Sequence, residues 1–309
     1  MKIRKEILLT LAALIWGIAF VAQSTGGDAV GSYTFNCVRS IIGSVALMPA
    51  IMIFDQLGIC HKPESVKDKK NLWIGGISCG VILCLATNLQ QIGINSGTAA
   101  GKAGFLTACY IIIVPILGIF LKKKCGINVW FGVALTVGGL YLLCIEGPLT
   151  IQLNDALVLM CAFVFAFHIL TVDHFSPLVD GVRLSCIQFM VAGVISAVPM
   201  IFVEMNPLAG GMTTWVSQFN NMGAWISILY AGVMSSGIAY TLQIVGQDGV
   251  DPTIASILMS LESVFSVLAG WLILGEKMSA KSYAGCAVIF VAVILAQLPE
   301  KMFRFGNNK

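Results

Sequence analysis

Arg39, Lys102, His168 and Glu262 each fall within an apolar run of this 309-residue sequence. A charge in hydrocarbon costs about 2.5–3.5 kcal/mol on insertion scales, so an ionisable group there marks a functional site by default. Glu262 is the most demanding case. It sits near the middle of its run, roughly 15 Å from either end at about 1.5 Å per helical residue, beyond the reach of a short side chain. It must be protonated, paired or facing water. Glu262 is therefore read as a carrier of a proton or of substrate charge, with a hydrogen bond to a neighbouring helix as the structural alternative. Arg39 and Lys102 lie closer to a membrane surface, where long side chains can reach polar surroundings. Either is read as attracting a substrate carboxylate, or as neutralising Glu262 in a purely structural network. His168, the residue type that changes charge near neutral pH, is a second candidate for coupling.

Uncharged polar residues recur at helical spacing around these groups. Asn88, Gln91 and Asn95 are spaced three then four, which places them on one helix face. Tyr240, Gln243 and Gln247 repeat that spacing 152 residues later, with Ser236 on the same face. Thr253, Ser256, Ser260 and Ser263 form another stripe, as do Trp16, Phe20 and Gln23, and Thr107 and Tyr110 stand beside Lys102. An amide facing lipid would have no hydrogen-bond partner. The stripes are thus expected to face a shared cavity. There Trp16, Phe20 and Tyr110 would pack a substrate's apolar part, and Asn88, Gln91, Tyr240 and Gln243 would bond its polar groups. The alternative is plain helix packing by small and polar residues.

Rival chemistries are poorly served. Gly97–Lys102 (GTAAGK) is one residue short of a phosphate loop, and Ala103 stands where Ser or Thr should bind magnesium. Gly76-Ile77-Ser78-Cys79-Gly80 has the serine-hydrolase spacing, but inside an apolar run rather than a strand-to-helix elbow. A pair between Ser78 and His168 would be the enzymatic alternative. The glycine spacings of Gly76/Gly80 and Gly97/Gly101 suit close helix contact instead. His61, His168 and His174 are scattered, and the ten cysteines form no CxxC pair. No metal or cofactor is expected, and the cysteines are read as small buried hydrophobes.

The elements that must position these groups follow from composition. Residues are 58% hydrophobic and 11% charged, against about 25% charged in soluble domains. Apolar runs give ten expected transmembrane helices near 6–24, 32–54, 71–93, 97–120, 127–145, 154–172, 182–203, 222–246, 253–274 and 280–298. The first is read as an uncleaved span rather than a signal peptide. A cytoplasmic N-terminus would gather Lys2, Arg4, Lys5, Lys62, Lys67, Lys69, Lys70, Lys122, Lys123, Lys124, Arg183, Lys301, Arg304 and Lys309 on the inner side, leaving Lys277 and Lys281 outside. Both termini are expected to be cytoplasmic.

Residues 1–150 and 151–309 would each carry five spans, an odd number, so the second repeat must be inverted. Trp130/Gly132 against Tyr283/Gly285, and Ala13/Trp16 against Ala162/Phe165, repeat at shifts of 153 and 149 residues, as the amide stripe does at 152. Inverted repeats are a common construction of secondary transporters, with the substrate site between them.

Several stretches resemble the EamA type of the drug/metabolite transporter superfamily. They are Ala13-Leu14-Ile15-Trp16-Gly17, Arg39, Gly101-Lys102-Ala103-Gly104-Phe105, Gln243, Leu261-Glu262 and Gly275-Glu276-Lys277. The resemblance implies an inner-membrane carrier with a central cavity, often exporting amino acids or other small metabolites. One departure is that Ser263 stands where the family often has proline after Leu-Glu. A kink is expected in span four at Pro115, and is left open in span nine. The expected function is a secondary transporter of a small polar metabolite, amino-acid-like, working by alternating access and coupled to protons. A passive facilitator or channel using the same cavity is the alternative. The expected partners are a small-molecule substrate and a bacterial inner-membrane bilayer. The net charge of +3 gives no reason to expect nucleic acid, and the protein would be a monomer or homodimer.

Overall fold

A computed structural model describes residues 2–58, 62–98, 100–122, 126–145, 152–207, 210–274 and 278–298. His61, Lys123, Lys124, Gly275-Glu276-Lys277, Lys301, Arg304 and Lys309 lie outside the described residues. All regular structure among the described residues is helical. The helices are α1 (Lys2–Val30), α2 (Ser32–Gln56), α3 (Val66–Asn95), α4 (Ala100–Ala108), α5 (Tyr110–Phe120), α6 (Ile127–Cys144) and α7 (Leu153–Phe175). They continue with α8 (Gly181–Pro199), α9 (Gly211–Ser217), α10 (Met222–Leu229), α11 (Tyr240–Gln247), α12 (Pro252–Met259), α13 (Leu261–Leu274) and α14 (Ala280–Gln297). Eight segments are long and apolar enough to cross a bilayer, and 127–143 and 280–296 form two shorter apolar helices. The chain is a multi-pass helical membrane protein.

Local chemistry sets the helix boundaries. Ser65 and Asp68 cap the start of α3 reciprocally, and Asp180 accepts the Arg183 N–H at the start of α8. Asp251 accepts the Thr253 N–H, with Pro252 in the first turn of α12. Gly31, at φ +83°, turns α1 directly into α2, a conformation costly for residues bearing a Cβ. Gly97, at φ +105°, likewise belongs to the turn between α3 and α4. Its spacing to Gly101 therefore serves a turn, not the helix contact expected of it. Gly80 does sit in such a contact, since a Cβ there would lie 2.7 Å from the Gln188 carbonyl.

Both expected spans that carry the central residues are broken. The first break falls at Cys109, between α4 and α5, six residues before Pro115, which lies inside α5. The second falls at Ser260, where no proline stands. At both points the ladder tightens to bonds three residues long, Cys109 N–H to Leu106 and Ser263 N–H to Ser260. Ser256 and Ser260 hydroxyls also donate to carbonyls three residues back, and such bonds bend helices. The segments 200–204 and 230–239 depart the other way, into wide π turns.

Polar and apolar residues are distributed inside out. Ile77, Val81 and Leu85, four residues apart on α3, are exposed, whereas Gln90, Gln91, Gln188, Gln243 and Gln247 are buried. α1 packs against α10–α13, and α7 against α3–α5. α2 pairs with α8, and α6 with α14. Contacts at the helix tips fall into two groups at opposite ends. At the first end, where α1 begins, Lys5 pairs with Asp248 and Arg183 with Asp55, while Asn128 donates to the Ala296 carbonyl. At the second end, where α7 begins, Lys102 pairs with Asp155. There Glu204 accepts the Tyr33 and Thr34 N–H groups, and Lys281 donates to the Ile145 carbonyl.

Candidate functional site

A cavity lies among α1, α2, α3, α4, α5, α7, α11, α12, α13 and the π segment, with about 510 Å³ of empty space that includes its opening to solvent. Its wall contains Trp16, Phe20, Arg39, Tyr110, His168, Tyr240, Gln243 and Glu262 from the sequence candidates. Gln23 and Thr107, members of the polar stripes, also line it.

Tyr240 organises one side of the wall. Its ring meets Trp16 edge-on at 4.7 Å, Phe189 at 5.1 Å and His168 at 6.0 Å between centroids. These T-shaped contacts fix the phenol's orientation. His168 Nε2 and Gln188 Oε1 form a hydrogen bond of 3.1 Å. Gln243 donates to Gln247 at 2.9 Å, and Gln247 in turn donates to the Ile169 carbonyl at 3.3 Å. A chain of amides thus ties α11 to α7 and holds the cavity wall in place.

The charged groups are arranged differently. The Tyr110 hydroxyl donates to Glu262 Oε1 at 3.2 Å, and Glu262 is 6% exposed. Arg39 is 4% exposed and makes no ion pair among the described residues. Its guanidinium stands 5.5 Å from the centre of the Phe35 ring, and its Nε finds no acceptor. Buried cations are ordinarily paired, because an unpaired one costs several kcal/mol of lost hydration. Trp16 Nε1, Gln23 Oε1, His168 Nδ1 and Gln243 Oε1 are likewise buried without partners. The wall therefore offers a cation, donors and acceptors whose capacity the protein itself leaves unused.

Three sequence candidates lie elsewhere. Lys102 does not meet Glu262, because Asp155, near the start of α7 at the same end, captures its ammonium, and Thr98 donates to the other carboxylate oxygen at 3.1 Å. Asn88 donates to Ser196 at 2.9 Å and to the Cys84 carbonyl at 2.8 Å, and accepts from Asn36 at 3.0 Å. It is a joint between α2, α3 and α8. Gln91 donates to the Gln23 carbonyl and to Asn95, both at 2.9 Å, tying α3 to α1. Its neighbour Gln90 lines the cavity instead and donates to Thr107 at 3.0 Å. Phe165, Ile169, Ser235 and Met259 complete the wall. Ser235 replaces Ser236 there for a geometric reason. The Tyr240 N–H bonds to the Ser235 carbonyl five residues back, so the π turn rotates the serines by one position. Ser78 lies in the middle of α3, and His168 bonds Gln188. The pair between Ser78 and His168 does not form.

The family model for EamA-like transporters matches residues 3–145 and again 152–298. A protein of Archaeoglobus fulgidus named an uncharacterized transporter is 27% identical over 302 residues, covering 96% of this chain and 87% of its own length. The Bacillus subtilis protein named uncharacterized transporter YwfM is 23% identical over 310 residues, covering 96% of this chain and 95% of itself. A solved crystal structure superposes with a TM-score of 0.77 at 16% identity, over 98% of this chain and 99% of the other, which is a likeness of fold. With its two halves matched in succession and its relatives aligned nearly end to end, the chain belongs to the EamA-like transporter family.

Proposed function

We propose that the protein is a proton-coupled secondary transporter that exports a small, amino-acid-like metabolite through the central cavity by alternating access. One observation carries this: a buried guanidinium with no carboxylate partner among the described residues lines the same cavity as a buried glutamate. Arg39 would hold the substrate's carboxylate, and a planar guanidinium is suited to doing so through two parallel bonds. Glu262 would take either a proton or the substrate's ammonium group. Trp16, Phe20, Phe165 and Tyr240 would pack its apolar part. No cofactor and no nucleic acid enter this cycle, and one chain or two would serve equally.

The same proposal takes the ten apolar helices or broken helices as ten spans in two inverted halves, 1–150 and 151–309. Side-chain ties support it. Thr34 with Glu204 and Arg183 with Asp55 are one contact made twice, since Arg183 follows Thr34, and Glu204 follows Asp55, by 149 residues. In the cavity wall, Trp16 and Phe165 stand 149 residues apart, Gln90 and Gln243 153, and Tyr110 and Glu262 152. The membrane would be a bacterial inner membrane, with the first end of the bundle cytoplasmic. Cysteines at positions 65 and 213 test this. An impermeant reagent on intact cells is expected to label 213 and spare 65, and the reverse would overturn the orientation.

Function is tested by comparing metabolites in the medium of expressing and empty cells, with and without a protonophore. Export against a gradient that collapses with the protonophore is the expected result. Flux that continues unchanged would identify a passive facilitator instead.

A further inference from the structure

Lys5, at the start of α1, donates to both the side chain and the carbonyl of Asp248, in the turn between α11 and α12. At the opposite end Lys102 of α4 pairs with Asp155 near the start of α7, and Thr98, in the turn between α3 and α4, donates to the same carboxylate. Asp155 follows Lys5 by 150 residues, and Asp248 follows Thr98 by 150. A Lys–Asp pair thus joins corresponding elements at opposite ends, with Asp155 at the position of Lys5 and the second lysine, Lys102, four residues beyond Thr98, the counterpart of Asp248. Each pair fastens a single helix, α1 or α7, to the tip of a helix hairpin.

These are also the elements that wall the cavity. Trp16 and Phe20 come from α1, Phe165 and His168 from α7, Gln90 and Thr107 from the α3–α4 hairpin, and Gln243 and Met259 from the α11–α12 hairpin. Each tip contact therefore joins two elements of the cavity wall at one end of the bundle. The other ties hold α2 to α8 at both ends, through Arg183–Asp55 and Glu204–Thr34, and α6 to α14 at both ends, through Asn128–Ala296 and Lys281–Ile145. They form a frame that need not part. We infer that Lys5–Asp248 and Lys102–Asp155 are the two gates, one of which must open while the other holds. This rests on the transporter reading of the cavity, and assigns to four residues outside it the positioning role that makes access alternate.

Lys5→Met and Lys102→Met each remove a gate's cation. The second change leaves the bond from the Gln152 N–H to Asp155, which caps α7, intact. The reporter is Thr107→Cys in a chain whose native cysteines are replaced, alkylated by an impermeant maleimide in vesicles of either orientation. Lys5→Met is expected to raise labelling from the first end, and lower it from the second, by about fivefold, as losing one partly exposed ion pair would. Lys102→Met is expected to do the mirror image. The charge-exchanged double variant K5D/D248K should restore the parent pattern by restoring the ion pair, and failure to do so would count against the pair as the gate. Should Lys102→Met fail to accumulate, Thr98→Val is read for the same end. Unchanged labelling in folded variants, or shifts of the same sign from both ends, overturns the inference. Labelling needs no substrate, so an absence of flux would count against the transporter reading alone.

Discussion

Arg39→Met should give a protein more stable than the wild type that no longer binds its substrate. The guanidinium is buried without a carboxylate partner, so removing it breaks no ion pair. Its burial costs about 2.5–3.5 kcal/mol on insertion scales, offset by about 0.5–2 kcal/mol from its place over the Phe35 ring. A hydrocarbon of similar length is therefore expected to stabilise the fold by about 1–2 kcal/mol, read as a raised melting temperature in detergent. Binding should move the other way. Losing one partner of a buried charged pair costs about 2–5 kcal/mol, which raises Kd at least about thirtyfold. A destabilised variant with unchanged affinity would make Arg39 a structural residue, and the carboxylate assignment would fall.

Glu262→Gln is expected to abolish uphill export while sparing exchange. The amide keeps the size of the side chain and an oxygen that can accept the Tyr110 hydroxyl, so the helix contact survives. What it loses is the ability to bind and release a proton. Without that, the carrier equilibrates its substrate, and the concentration ratio it sustains should fall to about one. Counterflow between substrate on the two sides needs no net proton movement and should persist. The dependence of export on external pH should flatten in the same variant. Poor expression would point to a structural role, and in that case Tyr110→Phe separates the possibilities. It removes the bond and keeps the carboxylate, so coupled export should continue. A stable Glu262→Gln protein with normal pH-dependent export would remove Glu262 from the coupling.

The eight long apolar helices were legible because lipid imposes a long apolar run on each crossing helix, and Glu262 stood out because a carboxylate in such a run is costly. Which face of a helix meets the cavity was less legible. Gln90 and Gln91 are one residue apart, about 100° around the helix, and both are buried. Two buried polar neighbours give no periodic signal to choose between them. Three-and-four spacing with Asn88 and Asn95 favours Gln91, which ties α1 to α3, whereas Gln90 reaches the cavity. Ser236 misled for a different reason, since a four-residue stripe presumes α geometry where the backbone is π. Asp155 was overlooked because an acid at the edge of a span reads as a helix start. The 150-residue offset from Lys5 was the available signal for Asp155.

The bond between Tyr110 and Glu262 has a consequence for stoichiometry. On the inverted-repeat reading these two residues occupy the same place in the two halves. Two separate, identical half-length chains would set like against like there, either two phenols or two carboxyls crowding a single proton. Joining the halves in one polypeptide lets the positions differ, and the cavity wall is left with one carboxyl group. Were Glu262 the sole proton carrier, one proton would move per turnover; at about 1.4 kcal/mol per proton for each unit of pH, the gradient that pH alone could sustain would then be about tenfold per unit.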